Sequence, residues 1–236
     1  MSTNRKSVLL SVLILSAISF ALLAEAAQRK SSGSVFTTDK GKLNILLDNN
    51  GVGQEEFEII QSGGSWTAKG NSSIKVPGTT PTNVTGNLSL QPDGTPLSYD
   101  WTAQTEKTNS AHVVFTNGVA KMTLQMQGAR PFEQDLTFSS PVVVVLDNNL
   151  YHQYAVLARV YDWSRRGTQN FSVLIPQELT PGTITVTASG DISSGGKTYE
   201  GLKVVTSDLE VVLYLDNSHR LMRIEVPSAK VAVVRQ

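Results

Sequence analysis

The sequence predicts a mainly β domain, a strongly curved antiparallel sheet that forms a half-barrel or open barrel, with one helix packed in or over its concave face. Three observations lead to this prediction. Apolar and polar side chains alternate along several short segments, turn sequences separate those segments, and one later segment has helical spacing instead. The length that follows the N-terminal segment suits one β domain.

The predicted strands show a period of two. Apolar side chains occupy every second position in residues 97–104, 120–126, 183–188 and 211–215. Because successive side chains of a strand point to opposite faces of a sheet, this pattern indicates one buried face and one exposed face. We expect about ten such strands along the chain.

Turn sequences rich in Gly, Asn, Asp and Ser separate the predicted strands. Asn117-Gly118, between residues 112–116 and 119–126, is the clearest two-residue hairpin turn, because both residue types tolerate positive φ. Connections this short make the sheet antiparallel. The other turn sequences lie at residues 48–51, 62–64, 92–94, 193–196 and 216–218.

Residues 149–164 form the predicted helix. Asp147-Asn148-Asn149 is expected to cap its N-terminus, and Arg165, Arg166 and Gly167 are expected to end it. One stripe of the helix carries apolar side chains at helical spacing, namely Leu150, Tyr154, Leu157, Ala158 and Tyr161. Since further apolar residues flank this stripe, we expect the sheet to cover the helix on more than one side.

The N-terminus has the features of a cleaved signal peptide. Arg5 and Lys6 precede an apolar run at residues 8–23, and Ala24-Glu25-Ala26 supplies a small-x-small cleavage site. The alternative is an uncleaved anchor, for which this run is slightly short. We therefore expect a signal peptide over 1–26, a flexible lead-in over 27–40 and a single antiparallel β domain over 41–236, with no integral membrane span after cleavage.

Composition limits the compartment and the partners. The formal net charge is zero and charged residues make up 17% of the chain, so a nucleic-acid partner is not expected. The chain has no cysteine, which excludes disulfides and thiolate chemistry. An exported chain without cysteine favours the bacterial periplasm, with secretion as the alternative. The sequence identifies no protein partner.

Motifs for catalysis, metals and cofactors are absent from the sequence. The three histidines have no ligand spacing, and we expect His112 on a solvated strand, His152 at an exposed helix position and His219 in a turn. The acidic residues, Glu55 among them, are expected mostly on exposed strand faces or in turns. The sequence therefore predicts a non-enzymatic protein that needs no metal or cofactor.

Two loose motifs carry a resemblance to known proteins. Residues 53–59 read as a strand with a G-x-E-x-F-like pattern, and residues 94–99 follow as a second shared stretch. With the mid-chain helix and the strand-turn-strand over 211–234, this layout resembles a group of uncharacterised bacterial periplasmic proteins. The resemblance implies a curled antiparallel half-barrel similar to the lipoprotein-localisation carriers, which hold acyl chains in an apolar concavity.

The main functional prediction is that the protein binds or carries a lipid or another apolar or amphiphilic small molecule. Methionine and aromatic side chains adapt to flexible ligands. The residues expected to line the cavity are Tyr99, Trp101, Phe115, Met122, Leu124, Met126, Phe138, Tyr154, Leu157 and Tyr161. For any one of them, a packed core position is the competing interpretation. The alternatives are a structural or partner-binding envelope module that uses an open sheet edge and, second, a carboxylate-dependent hydrolase.

Overall fold

The computed structural model describes residues 33–206 and 208–236. The predicted signal peptide and residues 27–32 of the predicted lead-in lie outside the described residues. The strands are β1 (Asp39–Leu47), β2 (Asn50–Ser62), β3 (Ser65–Ile74), β4 (Thr82–Leu90), β5 (Pro96–Gln104), β6 (Thr108–Thr116), β7 (Val119–Met126), β8 (Phe132–Thr137), β9 (Val143–Val145), β10 (Thr168–Ile175), β11 (Thr180–Ser194), β12 (Lys197–Val205), β13 (Glu210–Leu215), β14 (Leu221–Val226) and β15 (Val231–Arg235).

These strands form one open sheet. The strand order is β8-β7-β6-β5-β4-β3-β2-β1-β15-β14-β13-β12-β11-β10-β9, so β8 and β9 are the edges. All neighbours are antiparallel except β9 and β10, which are parallel. The sheet curls until β8 contacts β11, and Ser139 Oγ, just after β8, lies 3.2 Å from Ser172 Oγ on β10. The predicted mainly β, curled antiparallel fold is confirmed.

The described chain has fifteen strands, more than the ten or so predicted. Strand β3 was hard to recognise because its buried positions include Ala68, Gly70 and Ser72, which are small or polar. Strand β9 is buried at all three positions, so it shows no alternation. The Asn117-Gly118 hairpin is present as predicted, with φ of 49° and 79° at its two residues.

Strand β1 begins two residues before the predicted start of the domain at residue 41. Within the predicted lead-in, Phe36 is buried, and its ring centroid lies 5.7 Å from that of Trp66. Asp39 is also buried and accepts a 2.6 Å hydrogen bond from Nη2 of Arg235 on β15. Residues 36–40 therefore belong to the packed domain.

The helix, α1 (Gln153–Val160), is shorter than the predicted span of 149–164. Asn149 has a φ of 73°, which a right-handed helix does not permit. The expected cap by Asp147-Asn148-Asn149 is wrong, since the N-cap residue is His152 and its side chain makes no capping bond. Tyr161 is already extended, so Arg165, Arg166 and Gly167 do not end the helix.

The core lies between α1 and one face of the sheet, here called the inner face. Ala155, Val156, Leu157 and Ala158 are buried, and they join the inward side chains of the strands in one hydrophobic cluster. The opposite, outer face carries most of the exposed polar side chains of the strands. This division follows from the period-two alternation.

Candidate functional site

A buried carboxylate binds the start of the helix. Glu55 lies on β2 with Phe57 and Ile59 on the inner face, and its side chain is fully buried. It accepts hydrogen bonds from the backbone N–H of Tyr151 at 2.6 Å and of His152 at 3.2 Å. His152 Nδ1 lies 2.5 Å from Glu55 Oε1. Glu55 therefore supplies acceptor oxygens at the helix N-terminus, where the first N–H groups have no partner within the helix.

Two glycines make room for this arrangement. Gly70 on β3 and Gly86 on β4 are direct cross-strand partners. A Cβ atom at Gly70 would lie 2.5 Å from His152 Cε1 and 2.7 Å from Glu55 Oε1, and a Cβ at Gly86 would lie 2.5 Å from Leu150 Cδ1. A larger residue at Gly70 would displace the side chains of His152 and Glu55, and one at Gly86 would displace the side chain of Leu150.

A second polar cluster, centred on Asp147, adjoins the first. Tyr99 Oη donates to Asp147 Oδ2 at 2.7 Å, and Gln177 Nε2 donates to Asp147 Oδ1 at 2.6 Å. Gln153, the first residue of α1, donates from Nε2 to Tyr99 Oη at 3.1 Å and accepts the backbone N–H of Asp147. The cluster thereby ties the chain on both sides of α1 to β5.

Burial controls the protonation of this second cluster. It raises the pKa of Asp147 to about 7, although the hydrogen bonds from Tyr99 and Gln177 oppose the shift. Burial also raises the pKa of Tyr99 well above its ordinary value, and the neighbouring Asp147 carboxylate adds to that effect. Asp147 can therefore gain or lose a proton near neutral pH, whereas Tyr99 remains a hydrogen-bond donor.

The side chains of both clusters bind other parts of the same chain. Glu55, His152 and Gln153 are fully buried and Asp147 is nearly so, and their bonds hold residues 147–153 against β2 to β5. Ser72 Oγ and His152 Nε2 are buried without a hydrogen-bond partner among the described residues. The hydrolase alternative gains no support from these two carboxylates. No group of three or more His, Asp or Glu that suits a metal ion occurs in the described part of the chain.

The sequence prediction missed most of these polar residues. The expectation that His152 occupies an exposed helix position is wrong, and so is the expectation that Glu55 lies on an exposed strand face. Gly53, Glu55 and Phe57 are each two positions apart, so on a strand they point to the same face. This spacing could have indicated that Glu55 points inward with Phe57. The second motif supplies Tyr99, and it also supplies Gly94, where a Cβ would clash with Val160 of α1.

The other two histidines lie where the sequence placed them. His112 is exposed on β6 and lies 2.6 Å from Asp100 Oδ1. His219, in the turn after β13, stacks on Trp163 with ring centroids 3.9 Å apart, and its Nε2 lies 3.0 Å from Glu200 Oε2. These contacts join the chain after α1 to the β13–β14 turn.

The ten predicted cavity residues divide into three groups. Six are buried in the hydrophobic core, namely Tyr99, Trp101, Met122, Phe138, Leu157 and Tyr161. Phe115, Leu124 and Tyr154 are half-buried and pack against that core. Met126 is exposed. The structure therefore brings nine of them together, mostly as packed core.

One row of side chains crosses the inner face and changes from buried to exposed. Phe57, Gly70, Gly86, Trp101, Ala111, Leu124 and Phe132 are successive cross-strand partners from β2 to β8. At the β2 end, Phe57 stacks against His152, with ring centroids 6.1 Å apart. At the β8 end, Phe132 is 44% exposed, and Met126, two positions beyond Leu124, is 43% exposed. We call Trp101, Leu124, Met126 and Phe132 the inner strip.

Comparison with known proteins supports the fold alone. No family model and no curated protein matches the chain. A solved structure from Brucella abortus, described as a β-barrel-like protein of the domain of unknown function DUF1849, is similar with a TM-score of 0.55 and 9% identity, over 84% of this chain and 94% of that one. A DUF1089 family protein from Pseudomonas aeruginosa is similar with a TM-score of 0.47 and 11% identity, over 74% of this chain and 90% of that one. The chain therefore has a barrel-like, curled β fold shared with a domain of unknown function.

Proposed function

We propose that this protein is an exported, non-enzymatic carrier that binds an amphiphilic, lipid-like molecule along the inner strip. The observation that carries the proposal is the pair of exposed apolar side chains, Met126 and Phe132, beside the half-buried Leu124 at the β8 end of the inner face. Exposed apolar side chains that adjoin one another on the inner side of a curled sheet suit an apolar chain better than they suit water.

The position of α1 supports the same function. The segment before α1, residues 147–152, covers the inner face over β2 to β5, whereas Met126 and Phe132 at the β8 end of that face are exposed. A ligand chain on the inner strip would lie beside Trp101, whose ring is almost buried, and would remove Met126 and Phe132 from solvent. Because these two side chains are 43% and 44% exposed, their burial would contribute about half of the roughly 1.5–3 kcal/mol gained when a fully exposed apolar side chain is buried.

A binding titration with a matched pair of variants tests this proposal. We expect a fluorescent fatty acid to bind the delipidated wild type saturably and to bind Phe132→Asp at least about tenfold more weakly. The control is Val114→Asp, because Val114 is 41% exposed but lies on the outer face of β6. Unfolding midpoints of both variants would be measured in parallel.

Two results would contradict the carrier function. One is the absence of saturable binding by the wild type, and the other is an equal loss of affinity in Phe132→Asp and Val114→Asp. Either result would favour the partner-binding module, for which β8 offers an edge that, among the described strands, pairs with β7 alone.

The exported location is part of the proposal and rests on residues 1–26. We expect the protein purified from its native envelope to begin at Ala27 or a near neighbour, because Ala24-Glu25-Ala26 matches signal peptidase specificity. N-terminal sequencing measures this. An intact Met1 in the membrane fraction would show that the segment is an anchor.

A further inference from the structure

A groove of about 480 Å³ crosses the outer face of β1 to β5, on the opposite side of the sheet from α1. Its floor includes the backbone of Gly70 and Gly86, whose missing side chains would point inward. Two rows of polar side chains flank that floor, one on each side of the glycine row. With strands about 4.8 Å apart, the groove extends across roughly 19 Å from β1 to β5.

The first polar row is formed by direct cross-strand partners, Lys40, Glu58, Lys69, Asn87 and Asp100. The second row is Glu56, Asn71, Thr85 and Thr102, again as successive partners. Each of the five strands thus contributes a side chain to the groove, and the rows present amides, hydroxyls, carboxylates and ammonium groups together.

Three lysines, Lys40, Lys42 and Lys69, balance the three acidic residues of the groove, which are Glu56, Glu58 and Asp100. Lys40 Nζ lies 2.9 Å from Glu58 Oε2, Lys42 pairs with Glu56, and His112 bonds to Asp100. A groove whose carboxylates are already paired has no net field to concentrate a strongly charged ligand.

Four side chains keep unused hydrogen-bonding capacity. Asn71, Thr85, Asn87 and Thr102 make no side-chain hydrogen bond to any residue of the described ranges, whereas each amide offers two donors and an acceptor, and each hydroxyl can donate and accept. They lie at the centre of the groove, where Asn71, Thr85 and Thr102 are successive cross-strand partners and Asn87 is two positions from Thr85 along β4. Neutral donors and acceptors in such a pattern match the hydroxyl groups of a sugar.

We propose that this outer groove binds a neutral oligosaccharide, which lies across the strands between the two polar rows. The site is separate from the inner strip, because the two occupy opposite faces of the sheet. Glu58 of this groove does not suit the role of a glycosidase acid. A glycosidase acid needs a raised pKa, whereas the hydrogen bond from Lys40 lowers the pKa of Glu58 and keeps it a carboxylate.

The test is a titration of the purified protein with cellotetraose, chitotetraose and maltotetraose, followed by amide chemical shifts in nuclear magnetic resonance. We expect at least one of these probes to shift groove residues of β2 to β5 saturably. The double variant Asn71→Ala/Asn87→Ala should bind that probe about tenfold more weakly, since each lost hydrogen bond contributes a factor of roughly three.

The matched control is Asn83→Ala, because Asn83 lies on the same strand and the same exposed face as Asn87 but does not line the groove. It should leave the affinity unchanged, and Phe132→Asp should do the same, which separates this site from the carrier function. Three results would overturn the proposal. They are no saturable shift with any of the three probes, an equal loss of affinity in Asn83→Ala, and binding only to a sulfated oligosaccharide that salt abolishes.

Discussion

Removal of the Glu55 carboxylate should destabilise the protein severely. In Glu55→Ala, the backbone N–H groups of Tyr151 and His152 lose their acceptor and His152 Nδ1 loses its partner. Each buried donor left without its acceptor costs about 1–3 kcal/mol, and three contacts are lost together. The expected decrease in the free energy of unfolding is therefore about 4–6 kcal/mol, a large share of the roughly 5–15 kcal/mol typical of a folded protein.

Two further variants make this prediction specific. Glu55→Gln keeps one oxygen acceptor but replaces the other with an amide donor, so we expect an intermediate loss of about 1–3 kcal/mol. The control is Glu56→Ala, because the neighbouring Glu56 side chain is 64% exposed and pairs with Lys42 at the surface. That change should cost less than about 1 kcal/mol.

The assay is urea unfolding of the wild type and the three variants, followed by circular dichroism and tryptophan fluorescence. Equal slopes would allow the unfolding free energies to be compared directly. The reasoning would be refuted if Glu55→Ala were no more destabilising than Glu56→Ala. It would also fail if Glu55→Gln matched Glu55→Ala, because the acceptor oxygen would then have no role.

The remaining predictions concern glycine, core packing and pH. Gly70→Ala should lower the unfolding midpoint strongly, because its Cβ would overlap His152 and Glu55, whereas Gly51→Ala, with open space around its Cβ, should be neutral or stabilise by about 0.4–1 kcal/mol in the same urea assay. Leu157→Ala should cost about 2–5 kcal/mol, since Leu157 is fully buried in the core, and a loss below 1 kcal/mol by denaturation would indicate unfilled space around it. Burial raises the pKa of Asp147 to about 7, whereas the ordinary value is 3.8. The protonated Asp147 therefore stabilises the folded state fully below pH 3.8, and this stabilisation is lost as the pH rises through about 7. Asp147→Asn should flatten the dependence of the unfolding free energy on pH in that range. An unchanged pH profile in Asp147→Asn would show that another group titrates.

The alternation of side chains along a strand could have predicted part of the candidate site. Glu55 is two positions from Phe57 and four from Ile59, so a strand that buries those two apolar side chains must also turn Glu55 inward. The inward position of Glu55 was missed because acidic residues were expected at the surface. The position of His152 could not be found in the same way, because helical spacing did not show that α1 starts at Gln153 and that the preceding residues are bonded to β2.

The sequence by itself determined about ten of the strands, their antiparallel connection through turns such as Asn117-Gly118, and the presence of one apolar helix. These features depend on neighbours within a few positions, which a periodic pattern records. Only the tertiary structure decided what meets across the sheet. Glu55 and His152 are 97 positions apart. Gly70 and Gly86 look unfavourable in strands, but they are required because the side chains of His152 and Leu150 occupy the space beside them on the inner face. The same pairing of strands builds the inner strip and the outer groove, because cross-strand register is a property of the folded sheet and not of any one segment.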